Sequence, residues 1–289
     1  MEEKPLKKLE KFSTTISIIS TMSNNNNNNT TTTANNKKKR TCLCFHGFSQ
    51  NGVVFRQRTG SARTKKLKRE YDFVFVDAPH RVDGVFDDDD EKEEGKKEES
   101  NNDGSKNVRK RTEEEKGGGD ARSWWLAGEN VESGVSKASD GTWVRPAKSQ
   151  KIVSWEESAK AIEDAVKENE GRVDAFVGFS QGATLIAILK RVKPEIFAGV
   201  KRVVSVAGFD PLDARFYDSE AKIDVPSMHV HGKNDALVTR DRSDRLREQF
   251  YDADKAIVFE HDGGHGVPTS KEFREAFEKF LSIPPDERD

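Results

Sequence analysis

Cysteine and long apolar runs are both scarce in the sequence, and each absence excludes a class of protein. Only two of the 289 residues are cysteine, Cys42 and Cys44, and they lie two apart in a strand-like run. Two such side chains would point to the same face of one strand, which is poor geometry for a disulfide. The lack of a disulfide framework favours a reducing compartment such as the cytoplasm. No apolar run reaches about 18 residues, so we predict no transmembrane helix.

An excess of charge of either sign is also missing. The chain has 49 basic and 51 acidic residues and a formal net charge of -2, so it shows no electrostatic footprint for nucleic acid. The six histidines are scattered, the cysteines are not spaced as zinc ligands, and no glycine-rich phosphate loop is present. We therefore predict no nucleic-acid partner, no metal site and no cofactor.

Apolar residues make up only 33% of the chain, and the shortfall lies in two polar stretches. Residues 1–40 end in an Asn run, a Thr run and a Lys cluster, and residues 87–119 hold an acidic run followed by mixed Lys and Glu. Such sequences bury too little apolar surface to offset their ordering entropy. We predict a disordered tail at 1–40 and a disordered insertion at 87–119 within one domain at 41–283. A targeting role for the tail and a regulatory or partner-binding role for the insertion stay open.

Short apolar runs alternate with helical patterns along the rest of the chain. Strands are predicted at 41–45, 73–76, 173–179, 200–206, 227–230 and 256–259. Helices are predicted at 51–70, 154–169, 181–192 and 270–281. Ser154 is expected to cap the second helix, because Glu157 stands three residues later. This alternation predicts an α/β fold with a mostly parallel central sheet and helices on both faces.

The strongest motif in the sequence is Gly178-Phe179-Ser180-Gln181-Gly182. It follows an apolar strand and opens an apolar helix, which is the context that a nucleophile elbow requires. The turn would strain the serine backbone beside the positive end of the helix, and the two glycines would let strand and helix approach closely. We therefore predict that Ser180 is a catalytic nucleophile on an α/β-hydrolase fold. The alternative is an ordinary glycine-rich turn between a strand and a helix.

A serine hydroxyl needs a base to take its proton, and the base needs an acid to orient it. In α/β-hydrolases the chain order is nucleophile, acid, histidine, with the last two on loops after later strands. His265, in a glycine-rich loop after the last strand, is the predicted base, and His261 is its competitor. Asp235, after the preceding strand, is the predicted acid, and Asp210 is the alternative. Asp262 is less suited, because it is too close in sequence to reach behind His265.

The tetrahedral intermediate of acyl transfer needs hydrogen-bond donors aimed at its oxygen. One predicted donor is the backbone N–H of Gln181, which follows the nucleophile. The other is the backbone N–H of Phe48, in the loop after the first strand. His46, in the same loop, is expected to brace it, and His229 and His231, on or just after a strand, are expected to be structural.

Six blocks occur in order along the chain. They are residues 43–52, Asp77-Ala78-Pro79-His80, Trp124-Trp125, 178–182, 231–235 and 263–265. Together they resemble the FSH-type serine hydrolase family, which includes the fungal FSH proteins and the animal ovarian-cancer-associated protein 2. The resemblance covers residues 41 to about 281 and is interrupted by the insertion at 87–119.

The resemblance implies a carboxylesterase with Ser180, Asp235 and His265 as its triad. Its substrate would be a small-molecule acyl ester, with long-chain alkyl esters favoured in some relatives. Two alternatives stay open: an acyl thioesterase, because both acyl donors use the same triad, and a non-catalytic α/β-hydrolase module that binds a small ligand or a protein. Trp124 and Trp125 either line the acyl site or serve in core or lid packing, since aromatic residues fill both roles.

Overall fold

The computed structural model of the chain describes residues 38–82, 120–127, 146–169 and 171–282. The chain divides into two units, residues 1–37 and residues 38–289, and the first unit lies outside the described residues. The tail predicted at 1–40 is therefore described only at 38–40, and the insertion predicted at 87–119 lies wholly outside the described residues.

Six strands form the central sheet. They are β1 (Arg40–Phe45), β2 (Tyr71–Val76), β7 (Val173–Phe179), β8 (Arg202–Val206), β9 (Ser227–Gly232) and β10 (Ala256–His261). Their order is β10-β9-β8-β7-β1-β2, and every neighbouring pair is parallel. Parallel strands are usually covered on both faces and have near-continuous apolar sequence, as the buried strands β1, β7, β8 and β9 do here, whereas the edge strand β10 is partly exposed.

Four two-residue strands pair outside this sheet. β3 (His80–Arg81) is antiparallel to β4 (Arg122–Ser123), and β5 (Leu126–Ala127) is antiparallel to β6 (Ile152–Val153). These pairs fasten residues 120–127, which we name the tryptophan segment, to the body of the fold.

Six α-helices lie within the described residues. They are α1 (Gly52–Arg58), α2 (Lys65–Glu70), α3 (Trp155–Glu168), α4 (Gln181–Val192), α5 (Arg240–Phe250) and α6 (Lys271–Ser282). Short 3-10 helices occupy Pro146–Lys148, Pro194–Phe197, Ala214–Tyr217 and Ala253–Lys255. None of the helices in the described part of the chain is long and apolar enough to cross a membrane.

The helices divide between the two faces of the sheet. One face packs against α3, α4 and α5 through a core that includes Leu43 and Phe45, and the other packs against α1, α2 and α6 through a core that includes Cys42 and Cys44. Alternate β1 side chains thus enter opposite cores, as a strand requires. The two cysteines are free and share one face, with their Sγ atoms 3.9 Å apart. The predicted α/β fold with a parallel sheet and helices on both faces is confirmed.

Two details of the predicted helices are wrong. The helix expected over 51–70 is two helices, because the chain leaves α1 at Thr59 and a new helix begins where the Thr64 side chain accepts the N–H of Leu67. Ser154 precedes α3 but makes no side-chain capping bond. Its φ is +59°, and its carbonyl accepts a hydrogen bond from His80 Nε2 at 2.6 Å, so a contact with a distant strand determines its conformation.

Candidate active site

Ser180 lies at a sharp turn between β7 and α4, at the edge of the sheet where the parallel strands end. Its backbone has φ 52° and ψ −117°, a conformation that costs energy for any residue with a side chain. The Ser180 N–H anchors the turn by donating to the Val206 carbonyl at 2.8 Å. A Cβ on Gly182 would lie 2.4 Å from the Phe45 carbonyl oxygen, so glycine is what lets α4 begin this close to β1.

Ser180, His265 and Asp235 form a hydrogen-bonded row. His265 Nε2 lies 2.9 Å from Ser180 Oγ, and His265 Nδ1 lies 2.8 Å from Asp235 Oδ2. A carboxylate can only accept, so Nδ1 carries the proton and Nε2 is free to accept from the hydroxyl. The second oxygen of Asp235 accepts the N–H groups of Leu237 and Val238, each at 2.9 Å. The row therefore has the geometry for a base that takes the serine proton and a carboxylate that holds the base.

The loops after β9 and β10 hold this row together. The Asn234 N–H donates to the Gly263 carbonyl at 3.1 Å, and its side-chain amide donates to the Asp262 carbonyl at 2.6 Å. The ring of Phe179 packs against the ring of His265 with their centroids 5.1 Å apart. These contacts bring together two loops that are distant in sequence, and the sequence pattern revealed none of the three.

The competing base, His261, is oriented differently. Its Nδ1 accepts the N–H of Gly263 at 3.1 Å, and its Nε2 is buried without a partner in the described structure. Burial lowers its pKa, with the field of His231 adding to the effect. Asp262 is 88% exposed at its side chain and pairs with Lys233 at 2.8 Å. Neither residue hydrogen-bonds to Ser180 among the described contacts.

The alternative acid, Asp210, is engaged elsewhere. Its two carboxylate oxygens accept from the Nε atoms of Arg242 and Arg245, each at 2.8 Å. Asp210 is buried, and Arg242 also stacks over the Phe209 ring at 4.9 Å. This carboxylate forms ion pairs with two arginines of α5 and makes no described hydrogen bond with His265.

Three further histidines sit in structural positions. His46 Nε2 accepts the Ala78 N–H at 3.0 Å, so its Nδ1 donates to the Gly47 carbonyl at 2.7 Å, and burial lowers its pKa to about 4. Burial likewise lowers the pKa of His229 to about 3. The pKa of His231 is lowered by burial and by nearby Arg240. His46 and His229 are therefore held neutral, and His231 Nε2 lies 3.1 Å from Glu260 Oε1.

Residues 46–51, which we name the β1 loop, run directly beside Ser180. A Cβ built on Gly47 would lie 2.7 Å from the Phe179 ring and 3.4 Å from the Ser180 Cβ. The loop is closed by a hydrogen bond from the Gln50 N–H to the Gly47 carbonyl at 3.2 Å. The Phe48 side chain packs outward against a small apolar cluster. Gly47 of the β1 loop and the first turn of α4 thus both lie next to Ser180.

Trp124 and Trp125 are both 0% exposed. Trp124 Nε1 donates to the His46 carbonyl at 2.7 Å, and its ring packs edge-on against Phe45. Trp125 packs edge-on against Phe209, and its Nε1 has no acceptor among the described residues. The tryptophan segment therefore packs against the β1 loop and the core. Direct contact of either ring with substrate stays a prediction.

The side chain of Gln181 is a feature that sequence reasoning missed. It is buried, and its amide bonds to three consecutive residues of the tryptophan segment, Ser123, Trp124 and Trp125. The available signal was a polar residue that opens a helix whose following residues are almost all apolar. Within the described ranges, no group of three or more His, Cys, Asp or Glu side chains could hold a metal ion.

Comparison with known proteins gives matches along most of the chain. A family model described as "Serine hydrolase (FSH1)" matches residues 34–277. "Esterase OVCA2" of Danio rerio is 31% identical over 247 residues, which cover 83% of this chain and 95% of that protein. "Esterase OVCA2" of Homo sapiens is 30% identical over 244 residues, covering 83% and 94%. Among solved structures, Zea mays acyl-protein thioesterase 2 is similar at a TM-score of 0.49 and 16% identity, covering 84% of this chain and 93% of that chain.

Proposed function

The chain belongs to the FSH1 family of serine hydrolases, and from that premise we propose that it hydrolyses carboxylic esters with Ser180 as nucleophile, His265 as general base and Asp235 as orienting acid. The observation that carries the proposal is the pair of hydrogen bonds through one imidazole, 2.9 Å to Ser180 Oγ and 2.8 Å to Asp235 Oδ2. The family was predicted from six blocks of sequence, and the match over residues 34–277 confirms the family.

The proposed reaction has two halves. In the first, Ser180 Oγ attacks the ester carbonyl while His265 Nε2 takes its proton, and Asp235 stabilises the imidazolium that forms. The imidazolium then gives its proton to the leaving alcohol, which departs and leaves an acyl group on Ser180. In the second half, His265 takes a proton from water, the hydroxide attacks the acyl carbonyl, and the acid is released as Ser180 regains its proton.

The carbonyl oxygen becomes an oxyanion in both halves, and we assign its stabilisation to the backbone N–H groups of Gln181 and Phe48. The Gln181 N–H lies in the first turn of α4, where the helix dipole is positive. Phe48 belongs to the β1 loop, which passes against Phe179 and Ser180. Two donors from separate elements would then meet over the nucleophile.

Exposed apolar side chains support an acyl substrate and an extended acyl chain. Val53, in the first turn of α1, is 64% exposed, and Leu212 and Leu237, in the loops after β8 and β9, are 39% and 42% exposed. Loops that follow parallel strands share the edge of the sheet at which Ser180 stands. Exposed apolar groups collected at one edge are typical of a ligand-binding rim. We propose that this rim accepts the acyl chain.

The family match also supports a proposed domain organisation. It runs from residue 34 to residue 277 and so spans the polar stretch at 87–119. We propose that residues 41–283 form one hydrolase domain, with that stretch inserted between β3 and β4 and the tail at 1–40 preceding it.

Labelling with a fluorophosphonate, which reacts with activated serines, tests the proposal. We expect labelling of the unmodified protein and no labelling of Ser180→Ala. Absence of labelling and of ester hydrolysis in the unmodified protein would sink the proposal and favour a non-catalytic binding module. A panel of p-nitrophenyl esters and matching thioesters of graded acyl length then defines the substrate. We expect kcat/KM for esters to rise with acyl length; a preference for thioesters or for acetyl esters would contradict the proposed substrate.

A further inference from the structure

The side chain of Gln181 is a buried amide with a full set of partners. It is 1% exposed, so leaving its polar atoms unpaired would be unfavourable. Its Oε1 accepts the Trp124 N–H at 2.9 Å, and its Nε2 donates to Ser123 Oγ at 2.9 Å and to the Trp125 carbonyl at 3.2 Å. Ser123 Oγ in turn donates to the Trp125 carbonyl at 2.5 Å. One amide therefore fastens the middle of the tryptophan segment to the first turn of α4.

The tryptophan segment is fastened just as closely to the β1 loop. Four hydrogen bonds join them: Trp124 Nε1 to the His46 carbonyl at 2.7 Å, the Ser49 N–H to the Arg122 carbonyl at 2.8 Å, the Arg122 N–H to the Gln50 carbonyl at 3.0 Å, and Asn51 Nδ2 to the Asp120 carbonyl at 3.0 Å. These contacts bracket Phe48 on both sides. The position of the Phe48 backbone is thus tied to the tryptophan segment.

Gln181 joins these two sets of contacts. Its backbone N–H lies beside Ser180, and its side chain holds the segment that holds the loop carrying the second donor. We propose that the Gln181 side chain is a positioning residue, which sets the Phe48 N–H relative to the Gln181 N–H so that both point at one oxyanion. This role rests on the proposed function, because it concerns the oxyanion formed when Ser180 attacks an ester.

Such a role makes a kinetic prediction that simple core packing does not. The two donors are needed most when the carbonyl oxygen is charged, so a misplaced loop weakens binding of the tetrahedral state more than binding of the ester. Losing a single oxyanion donor lowers kcat by about 10²–10³-fold in well-studied hydrolases. Displacing a donor without removing it should lower kcat by about tenfold or more, with KM little changed.

Gln181→Met tests the proposal, because methionine has similar length but makes no comparable hydrogen bonds. Thr184→Val is the matched control: Thr184 is another buried polar residue of α4, and its hydroxyl forms its described hydrogen bonds with the Phe209 backbone, at 2.8 Å and 3.1 Å, and not with the tryptophan segment. For each variant we would measure the melting temperature, kcat and KM for a p-nitrophenyl ester, and the inhibition constant of a trifluoromethyl ketone, which forms a tetrahedral oxyanion adduct with an active serine.

In Gln181→Met we expect kcat to fall by about tenfold or more and the inhibition constant to rise by a similar factor, while KM stays within about twofold. In Thr184→Val we expect a lowered melting temperature with kcat and the inhibition constant unchanged. Unchanged kcat in Gln181→Met, an effect on KM alone, or equal losses of kcat in both variants would overturn the proposal.

A milder variant covers the case in which Gln181→Met does not fold. Ser123→Ala removes one partner of the amide and should shift kcat and the inhibition constant in the same directions by a smaller factor; no shift would then overturn the proposal. Failure of the proposed function looks different, because the unmodified protein would neither hydrolyse esters nor react with a fluorophosphonate. An active unmodified protein with an unaffected Gln181→Met overturns the positioning role alone.

Discussion

His265 Nε2 lies 2.9 Å from Ser180 Oγ, although the two residues are 85 positions apart in the chain. His261, at the end of β10, is nearer to Ser180 in sequence but uses its Nδ1 to accept the Gly263 N–H. The conformation of the turn at 262–264 therefore decides which histidine meets the serine.

Substitution of each histidine in turn distinguishes the role of His265 from that of His261. His265→Ala should lower kcat by about 10⁴-fold or more, because no other group in the row can take the Ser180 proton. His261→Asn should keep kcat close to that of the unmodified protein, because the asparagine oxygen can still accept the Gly263 N–H. Steady-state hydrolysis of a p-nitrophenyl ester, with circular dichroism as a check of folding, measures both. Near-normal hydrolysis in His265→Ala would move the base to His261.

Asp235→Asn should lower kcat by about 10⁴-fold with the fold intact. Asparagine Oδ1 can still accept the N–H groups of Leu237 and Val238, but its amide would donate toward His265 Nδ1. The proton of the imidazole would then move to Nε2, which could no longer accept from Ser180.

Asp262→Asn is the control for that change. Asp262 is an exposed carboxylate of the loop that also carries His265, and it pairs with Lys233. Exposed ion pairs contribute little, so kcat should stay near that of the unmodified protein. If both asparagine variants lose activity to the same extent, Asp235 does not have the assigned role.

Much of this arrangement follows from local sequence. The apolar run of β7, the Gly178–Gly182 motif and the apolar run of α4 are adjacent in the chain, so local patterns predict them with the observed bounds. The α/β fold followed from the alternation of strand and helix patterns. The order of nucleophile, acid and histidine along the chain favours Ser180, Asp235 and His265, which the fold brings together, but it leaves His261 and Asp210 as alternatives.

The parts that sequence did not reveal depend on contacts between distant segments. Ser154 has the residue type of a helix cap, but its carbonyl bonds to His80 and its φ is +59°. The sequence predicts no role for the side-chain amide of Gln181, because its partners lie in the tryptophan segment, more than 50 positions away. The sequence leaves Asp210 open as an acid, whereas in the structure Arg242 and Arg245 occupy both of its oxygens. Local periodicity carries no information about such pairings.

Two buried histidines should make the fold sensitive to acid. Burial lowers the pKa of His46 from 6.5 to about 4 and that of His229 from 6.5 to about 3. The folded chain keeps both neutral while the unfolded chain protonates them as the pH falls below 6.5, so the unfolded state binds more protons. Stability is therefore fully present above pH 6.5 and is lost as the pH falls toward 4. Each histidine contributes a slope of up to about 1.4 kcal/mol per pH unit.

Urea unfolding at pH 7, 6, 5 and 4.5 measures this slope. His229→Phe removes one titrating group and should flatten the dependence of the unfolding free energy on pH by up to about 1.4 kcal/mol per unit. Ser227→Ala is its control, because it removes the hydroxyl 3.1 Å from His229 Nε2 and leaves the ring in place. It should lower stability by a similar amount at every pH. An unchanged slope in His229→Phe would show that other groups govern the acid response.

The tryptophan pair offers a matched comparison, because the two rings are equally buried but only one N–H has a partner. Trp124→Phe removes the donor to the His46 carbonyl, whereas Trp125→Phe removes an N–H with no acceptor in the described structure. Both replacements lose similar volume, so the difference between them isolates the hydrogen bond. Leaving a buried carbonyl without its donor costs about 1–3 kcal/mol, and Trp124→Phe should be less stable by that amount.

Catalytic activity should also be lower in Trp124→Phe than in Trp125→Phe. Trp124→Phe should also lower kcat, because the His46 carbonyl begins the β1 loop that carries Phe48, while Trp125→Phe should leave kcat unchanged. Urea unfolding and ester hydrolysis on the two variants measure both effects. A rise in KM confined to one variant would identify that ring as part of the acyl site. Equal losses of stability would mean that the Trp124 bond contributes nothing beyond packing, and the link between the tryptophan segment and the β1 loop would then rest on the other three hydrogen bonds.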